Sequence, residues 1–454
     1  MTFALTSLAV PDFGLPVARP EIPAATYADR CRRAWAAAGC DWLAVYADRE
    51  HFANIAFLTN FEPRFEEALL LLGKAGRAVI VTGNENQDYA AAIARLPGVA
   101  VVLAQTLSLM GQDRARQPSL ESVLREVGIK AGDSVGLVGW KYLEPEEWAG
   151  ARPSFFVPGF VVDVLERIAG EESLVEATPV LMHPTTGIAS VIDADQIAAF
   201  EWAAARASAA VWRIQTGARV GDTGYEAAAR AGYAGEPMNA HVMLASASAD
   251  APVIGLSSPG ARRLSLGDGV STAVSYWGGL AARAGALVTE DADLLKLAAS
   301  YFSGLVAWYA VARIGATGGE IHARVSETLA RGGLRSALNP GHLTGYREWT
   351  HTPIRPQSGE KIASGMAFQV DIIPVPMPNG RALNCEDPVT FADAALREEL
   401  RQRHPDVSAR IAARRAFVEG SLGIPLDPAI LPLSSTPLCF APFWLRSDLL
   451  FAAG

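Results

Sequence analysis

The 454-residue chain reads as an α/β domain followed by an α+β domain with an internal repeat. Three observations predict this. Strand and helix signals alternate through the first third of the chain. A cluster of turn formers breaks that rhythm between residues 175 and 190. A nine-residue motif then recurs in the second half.

The alternation begins with residues 25–39, Ala- and Arg-rich at helical spacing and closed by Gly39, a residue that readily takes the left-handed conformation ending a helix. Residues 41–46 (DWLAVY) form an apolar run of strand length. Two more runs, 68–72 and 78–81, flank a Gly-Lys-Ala-Gly turn. Helix 86–95 precedes strand 99–103, and helix 118–127 precedes strand 134–138. Strands alternating with helices predict a largely parallel sheet. Thr178-Pro179 and His183-Pro184-Thr185-Thr186-Gly187 then disrupt the pattern before a long helix from about Asp193 to Thr216. The boundary falls there, giving domains 1–183 and 184–454, the second with an extension from about residue 391.

Residues 218–226 read ARVGDTGYE and residues 312–320 read ARIGATGGE, six of nine identical. Each copy follows one amphipathic helix and opens another. Thr-Gly-x-Glu suits a helix start, a hydroxyl to cap the first turn and an acid near its positive end. Two readings stay open: chance similarity of two helix starts in an Ala/Gly-rich chain, or a duplicated unit whose halves face each other across a pseudo-two-fold axis. The second places a site in the cleft between the halves.

Composition narrows the function classes. Half the residues are hydrophobic, 19% are charged and the net charge is −9. No basic stripe interleaved with aromatics is present, so no nucleic-acid partner is expected. No apolar run reaches the ~18 residues of a membrane span, so no membrane partner is expected. Cys31, Cys40, Cys385 and Cys439 show neither CxxC nor zinc spacing. With no basic leader before Asp12, a reduced, cytoplasmic setting is the expectation.

Four landmarks in the second half occur in an order that carries a resemblance. They are Leu266-Gly267-Asp268-Gly269-Val270, Asn339-Pro340-Gly341-His342-Leu343-Thr344-Gly345, Ser364-Gly365-Met366-Ala367-Phe368-Gln369-Val370-Asp371 and Asn384-Cys385-Glu386-Asp387. Together they resemble the Gly-Asp turn, Gly-His-x-x-Gly, Gly-Met-x-Phe and Glu-Asp segments of the creatinase, aminopeptidase P and prolidase family. The resemblance spans about residues 25–390. It implies the family's pita-bread fold for the second domain and a homodimer in which one subunit's small domain reaches its partner's cleft. Asn60-Phe61-Glu62-Pro63-Arg64 lies where creatinase-like members carry an Arg in a substrate-facing loop. Arg64 is thus the candidate for a substrate carboxylate.

Peptidases of that family bind two divalent metals through four acids and a His, since such ions prefer oxygen ligands and several carboxylates offset their charge. Position by position, His342 matches the His, Asp371 stands where Glu is usual, and Glu386 matches the last acid. The first acid falls at about Ala273 and the second at about Arg283, and no acid occurs between Asp268 and Glu290. No metal or other cofactor is therefore expected. Arg283 is expected either to substitute electrostatically for the metal, pairing with Glu386 or Asp371, or to point to solvent.

Creatinase hydrolyses without metal, using a His just before the Gly-Asp turn, but residues 251–259 (APVIGLSSP) contain none. His241, in the run 239–245, reads as a packed structural His, with substrate contact as its other reading. His342 and His351 flank the turn Gly345-Tyr346-Arg347-Glu348. The resemblance gives a His on the second limb a role in stabilising a tetrahedral intermediate, and Tyr346 lies beside it. His342 with Glu386 would supply a base oriented by a carboxylate, and satisfied remnants of an ancestral site remain the other reading. Ser257-Ser258 lack the surroundings of a nucleophile elbow.

The extension carries a charged helix over 394–419 and an apolar tail expected to cover the core or a dimer interface. Three function classes follow. The first is a metal-independent hydrolase cleaving a C–N bond of a small carboxylated nitrogen compound. The others are a catalytically inactive binding protein and an Xaa-Pro metallopeptidase.

Overall fold

The computed structural model of the chain describes residues 3–115 and 118–454. It divides into two compact units, residues 22–190 and a second formed by the N-terminal residues up to Glu21 together with 191–454. The boundary thus lies at Ser190 rather than at residue 183. The N-terminal segment belongs with the second unit because strand Phe3–Ser7 pairs antiparallel with the last strand, Leu449–Ala453.

The first unit holds a six-stranded sheet. Its strands run in space as Ala100–Leu103, Arg77–Thr82, Ala68–Gly73, Trp42–Ala47, Val135–Val138 and Leu174–Glu176. The central strands Trp42–Ala47 and Ala68–Gly73 are buried at every residue, which explains their unbroken apolar runs. The sheet is mixed rather than largely parallel. Strand 68–73 is antiparallel to both neighbours, and the short turn Lys74–Gly76 sets its pairing with strand 77–82.

The second unit contains two four-stranded sheets. One orders Asn384–Glu386, Gly279–Ala286, Gly269–Tyr276 and Met243–Ala247. The other orders His342–Leu343, Ala367–Gln369, Pro388–Phe391 and Ile430–Pro432. The chain passes from one to the other through Asp387. Helices Ala194–Gly217, Ala292–Val311 and Gly318–Arg331 belong to the same unit. Ala292–Val311 is long and apolar enough to cross a membrane by composition. Its Tyr301, Phe302, Leu305 and Trp308 are buried in the core with Phe368 and Phe391.

The two motif copies make the same local structure. Thr223 and Glu226 form a reciprocal capping box at helix Gly224–Ala229, and Thr317 and Glu320 form another at Gly318–Arg331. Gly221 donates to Leu264 and Gly315 to Ile362. Leu264 donates back to Asp222 and Ile362 to Ala316. Downstream, Gly267 donates to Leu287 and Gly365 to Phe391, both glycines in the left-handed region at φ 92° and 88°.

The charged segment after residue 393 forms two helices, Ala394–Arg403 and Pro405–Gly420, not one. Pro405 lacks the N–H that would continue the first, and it favours the first turn of the second. The apolar tail covers this unit's own core: Phe440, Ala441 and Phe443 are buried with Tyr301 and Phe302.

Candidate active site

Strand register decides which residues meet. Side chains two apart on a strand share a face, and directly paired residues across strands share it too. Ala273 pairs with Ala282, and Ala282 pairs with Glu386. In the second sheet His342 pairs with Gln369, which pairs with Pro388. Glu386 and Pro388 are two apart, so one continuous face carries Ala273, Ala282, Glu386, Gln369 and His342. Asp371, two beyond Gln369, joins them. His342, Asp371 and Glu386 each offer an atom within 4.8 Å of the others', and all three are buried.

The loop before His342 is held from two sides. Trp308 Nε1 donates to Pro340 O at 2.9 Å, and Thr352 Oγ1 donates to Gly341 O at 2.7 Å. Gly341 has φ +110°, and a Cβ there would lie 3.0 Å from Gln369 O, so a side chain would displace the strand that carries His342. After His342 the chain turns back, Thr350 N–H donating to Leu343 O. This brings Glu348 Oε1 to 2.9 Å from His342 Nε2, off the line of a good hydrogen bond. The turn also stacks Trp349 on the imidazole at 4.0 Å between centroids. Glu348 completes the cluster, yet among the motifs it is only a turn residue. Its signal was the short spacing from His342 within a hairpin.

The electrostatics of the cluster follow from burial. Glu386 is pushed well above the usual carboxyl range, first by desolvation and then by Asp371, Glu348 and Asp387. Desolvation also raises Asp371, to about 6, although His342 pulls it back. Burial pulls His342 toward neutrality, but Glu348 outweighs it and the imidazole holds its proton above the ordinary value. Burial thus makes Glu386 and Asp371 hold protons more readily than free carboxyls, while Glu348 favours the proton on His342.

Arg283 lies elsewhere, which corrects both expectations for it. It pairs across the strands with Cys385 and so points away from Glu386's carboxylate. It is 1% exposed, not solvated. Its guanidinium donates to Asp387 at 2.9 and 3.0 Å, to Cys439 O at 2.9 Å, to Thr436 O at 2.6 Å and to the backbone oxygen of Glu386 at 3.0 Å. Burial works against its charge, and Asp387 restores it. Ala282 takes the cluster-facing position instead. With Met243, Ala273 and Leu280 it makes an apolar patch.

The remaining candidates make other contacts. His351 pairs its backbone with Leu343, and its Nδ1 accepts from Thr352 N–H at 2.8 Å. Tyr346 is packed against Trp277 at 5.4 Å, its hydroxyl donating to Gln196 at 3.4 Å. His241 is exposed and precedes strand Met243–Ala247, so it is not a packed structural residue. Arg64, in the first unit, pairs with Glu62 and lies over Tyr89 at 5.3 Å.

A two-metal centre does not fit this donor set. Ala273 and Ala282 stand at the first two acid positions and their side chains offer no oxygen. His342, Asp371, Glu386 and Glu348 remain as donors, all on one side of the missing pair.

No family model and no curated protein matches the chain at the sequence level. Solved structures match its fold. An Xaa-Pro dipeptidase from Bacillus anthracis aligns over 82% of this chain and 96% of its own at 17% identity, with TM-score 0.59. An X-Pro aminopeptidase from Thermotoga maritima aligns over 81% and 95% at 14% identity, with TM-score 0.62. A prolidase from Thermococcus sibiricus aligns over 82% and 95% at 16% identity, with TM-score 0.63. The chain has the pita-bread fold shared by these prolidases and aminopeptidases.

Proposed function

We propose that this protein is a metal-independent hydrolase that cleaves a C–N bond of a small, carboxylated nitrogen compound. The observation that carries the reading is the pairing of Ala273 and Ala282 beside Glu386, which removes the donors of a two-metal site but leaves buried His342, Asp371 and Glu386 together. Buried ionisable clusters are costly to keep unless used.

In this reading Asp371, poised near neutrality, takes a proton from water as it attacks the carbon of the scissile bond. His342, whose proton Glu348 favours, stabilises the developing oxyanion. Glu386 gives its proton to the departing nitrogen as the C–N bond breaks, and the proton gained by Asp371 returns to Glu386. Arg64 remains the candidate for the substrate carboxylate. The protein is proposed to act in the cytoplasm as a homodimer, on a small molecule and not on nucleic acid or membrane. The matched capping boxes and hydrogen bonds of the two halves support an internal duplication with pseudo-two-fold symmetry.

The test is turnover of small amide, amidine and guanidino acids in EDTA. Activity that survives EDTA and falls at least ~100-fold in Glu386→Gln supports the reading. Activity that appears only with added Mn²⁺ contradicts it and favours one ion held by His342, Asp371 and Glu386.

A further inference from the structure

The sheet face that bears the acid cluster also carries groups the hydrolytic steps do not use. Gln369 stands between His342 and Pro388 in one cross-strand row. In the next row Thr390 pairs with Ala367, and Thr344 donates its backbone N–H to Ala367 O at 3.0 Å. Thr344, Gln369 and Thr390 are 4%, 0% and 0% exposed. Neither the oxygen nor the nitrogen of the Gln369 amide has a hydrogen-bond partner, nor does either threonine hydroxyl. Asp371 Oδ1, on the same face, has none either.

These polar residues are not a slip in the strand pattern. The alternate positions Leu343, Phe368, Val389 and Phe391 all enter the core, so the strands are two-faced and this face is polar. Leaving a buried donor or acceptor unpaired costs ~1–3 kcal/mol per group, and apolar replacement of the same shape avoids it. Such groups concentrate where a ligand completes them.

We propose that Gln369, flanked by Thr344 and Thr390, is the recognition subsite for a carboxamide or ureido group of the ligand. A carboxamide presents one acceptor and one N–H donor side by side, as Gln369 does, so the two pair head to head through two N–H···O bonds. A carboxylate has no donor for the Gln369 oxygen, and it would bring another negative group toward Glu348, Asp371 and Glu386. The inference rests on the hydrolytic reading for placing a substrate beside this cluster, but binding tests it without turnover.

The experiment is calorimetric titration with succinamate and with succinate, which are near-isosteric and differ in one NH₂. The wild-type protein is expected to bind succinamate at least ~10-fold more tightly than succinate, because a site built for hydrogen bonds rejects an analogue that leaves them unpaired. Gln369→Leu is expected to weaken succinamate ~10-fold or more and to leave succinate within ~2-fold of its wild-type affinity, while raising the thermal midpoint as the unpaired amide is removed. Thr390→Val, a milder change, is expected to weaken succinamate by ~3-fold or more. No succinamate binding, equal affinities in the wild type, or succinamate affinity undiminished in folded Gln369→Leu would overturn the subsite. Discrimination with no amide turnover would leave it standing and sink the hydrolase reading instead.

Discussion

The hairpin formed by Gly269–Tyr276 and Gly279–Ala286 and the strands Ala367–Gln369 and Pro388–Phe391 are entered through matching turns. Gly267 bonds to Leu287 in one half as Gly365 bonds to Phe391 in the other. Their inner faces differ. The first presents Ala273, Ser275, Leu280 and Ala282, the second Gln369, Asp371 and Thr390, with Glu386 on the strand that joins them. Backbone architecture and site chemistry are thus separable: one half supplies the frame and the other carries the ionisable groups. The outer face differs as well, since the first half buries Arg283, neutralised by Asp387, where the second packs Phe368 and Val389.

The sharpest way to break this contrast is through Arg283. Arg283→Met strands the Asp387 carboxylate in the core and is expected to cost about 3–5 kcal/mol in urea unfolding. Arg283→Met combined with Asp387→Leu should recover most of that loss. If Arg283 served the cleft instead, the single variant would keep its stability and lose activity.

The second comparison is of pH. Asp371 and Glu386 hold protons more tightly in the folded chain than an unfolded carboxyl does. Their contribution therefore favours the fold at low pH. It is lost as pH rises from the unfolded value, near 4, through the folded value of Asp371, about 6. Asp371→Asn should flatten that slope, gaining roughly 2 kcal/mol relative to wild type at pH 7 and little at pH 4. Urea melts across this range check the sign, and a wild type that gains stability over the same interval would refute it.

The smallest effect tests the frame. Thr223→Ala and Thr317→Ala each remove one capping box and should each cost about 1 kcal/mol by thermal unfolding. Costs that differ severalfold would show that the two matched turns are not equivalent supports.

Much of the frame was legible in sequence. The central apolar runs, the two capped helix starts and the order of the four landmarks all correspond to observed elements. The site was legible only in part, for a geometric reason. A one-residue change of register moves every side chain to the other face of a strand. Here Tyr276 pairs with Gly279 across Trp277-Gly278, with Gly278 at φ +96°. That short turn places Ala282, not Arg283, opposite Ala273 and beside Glu386. Motif spacing does not reveal the turn length. Glu348 was missed for a similar reason: its carboxylate reaches His342 only because the loop folds back on itself. Gln369 has no motif of its own, and its interest lies in the pairing of its strand and its unpartnered amide.

The most direct test of the central claim is the metal content of protein purified without chelator, followed by addition of Mn²⁺ or Co²⁺ in assays on an Xaa-Pro dipeptide. A cluster faced by Ala273 and Ala282 predicts no stoichiometric metal and no response to either ion. Near-stoichiometric metal that raises dipeptide hydrolysis would contradict the account and place the protein among the metallopeptidases.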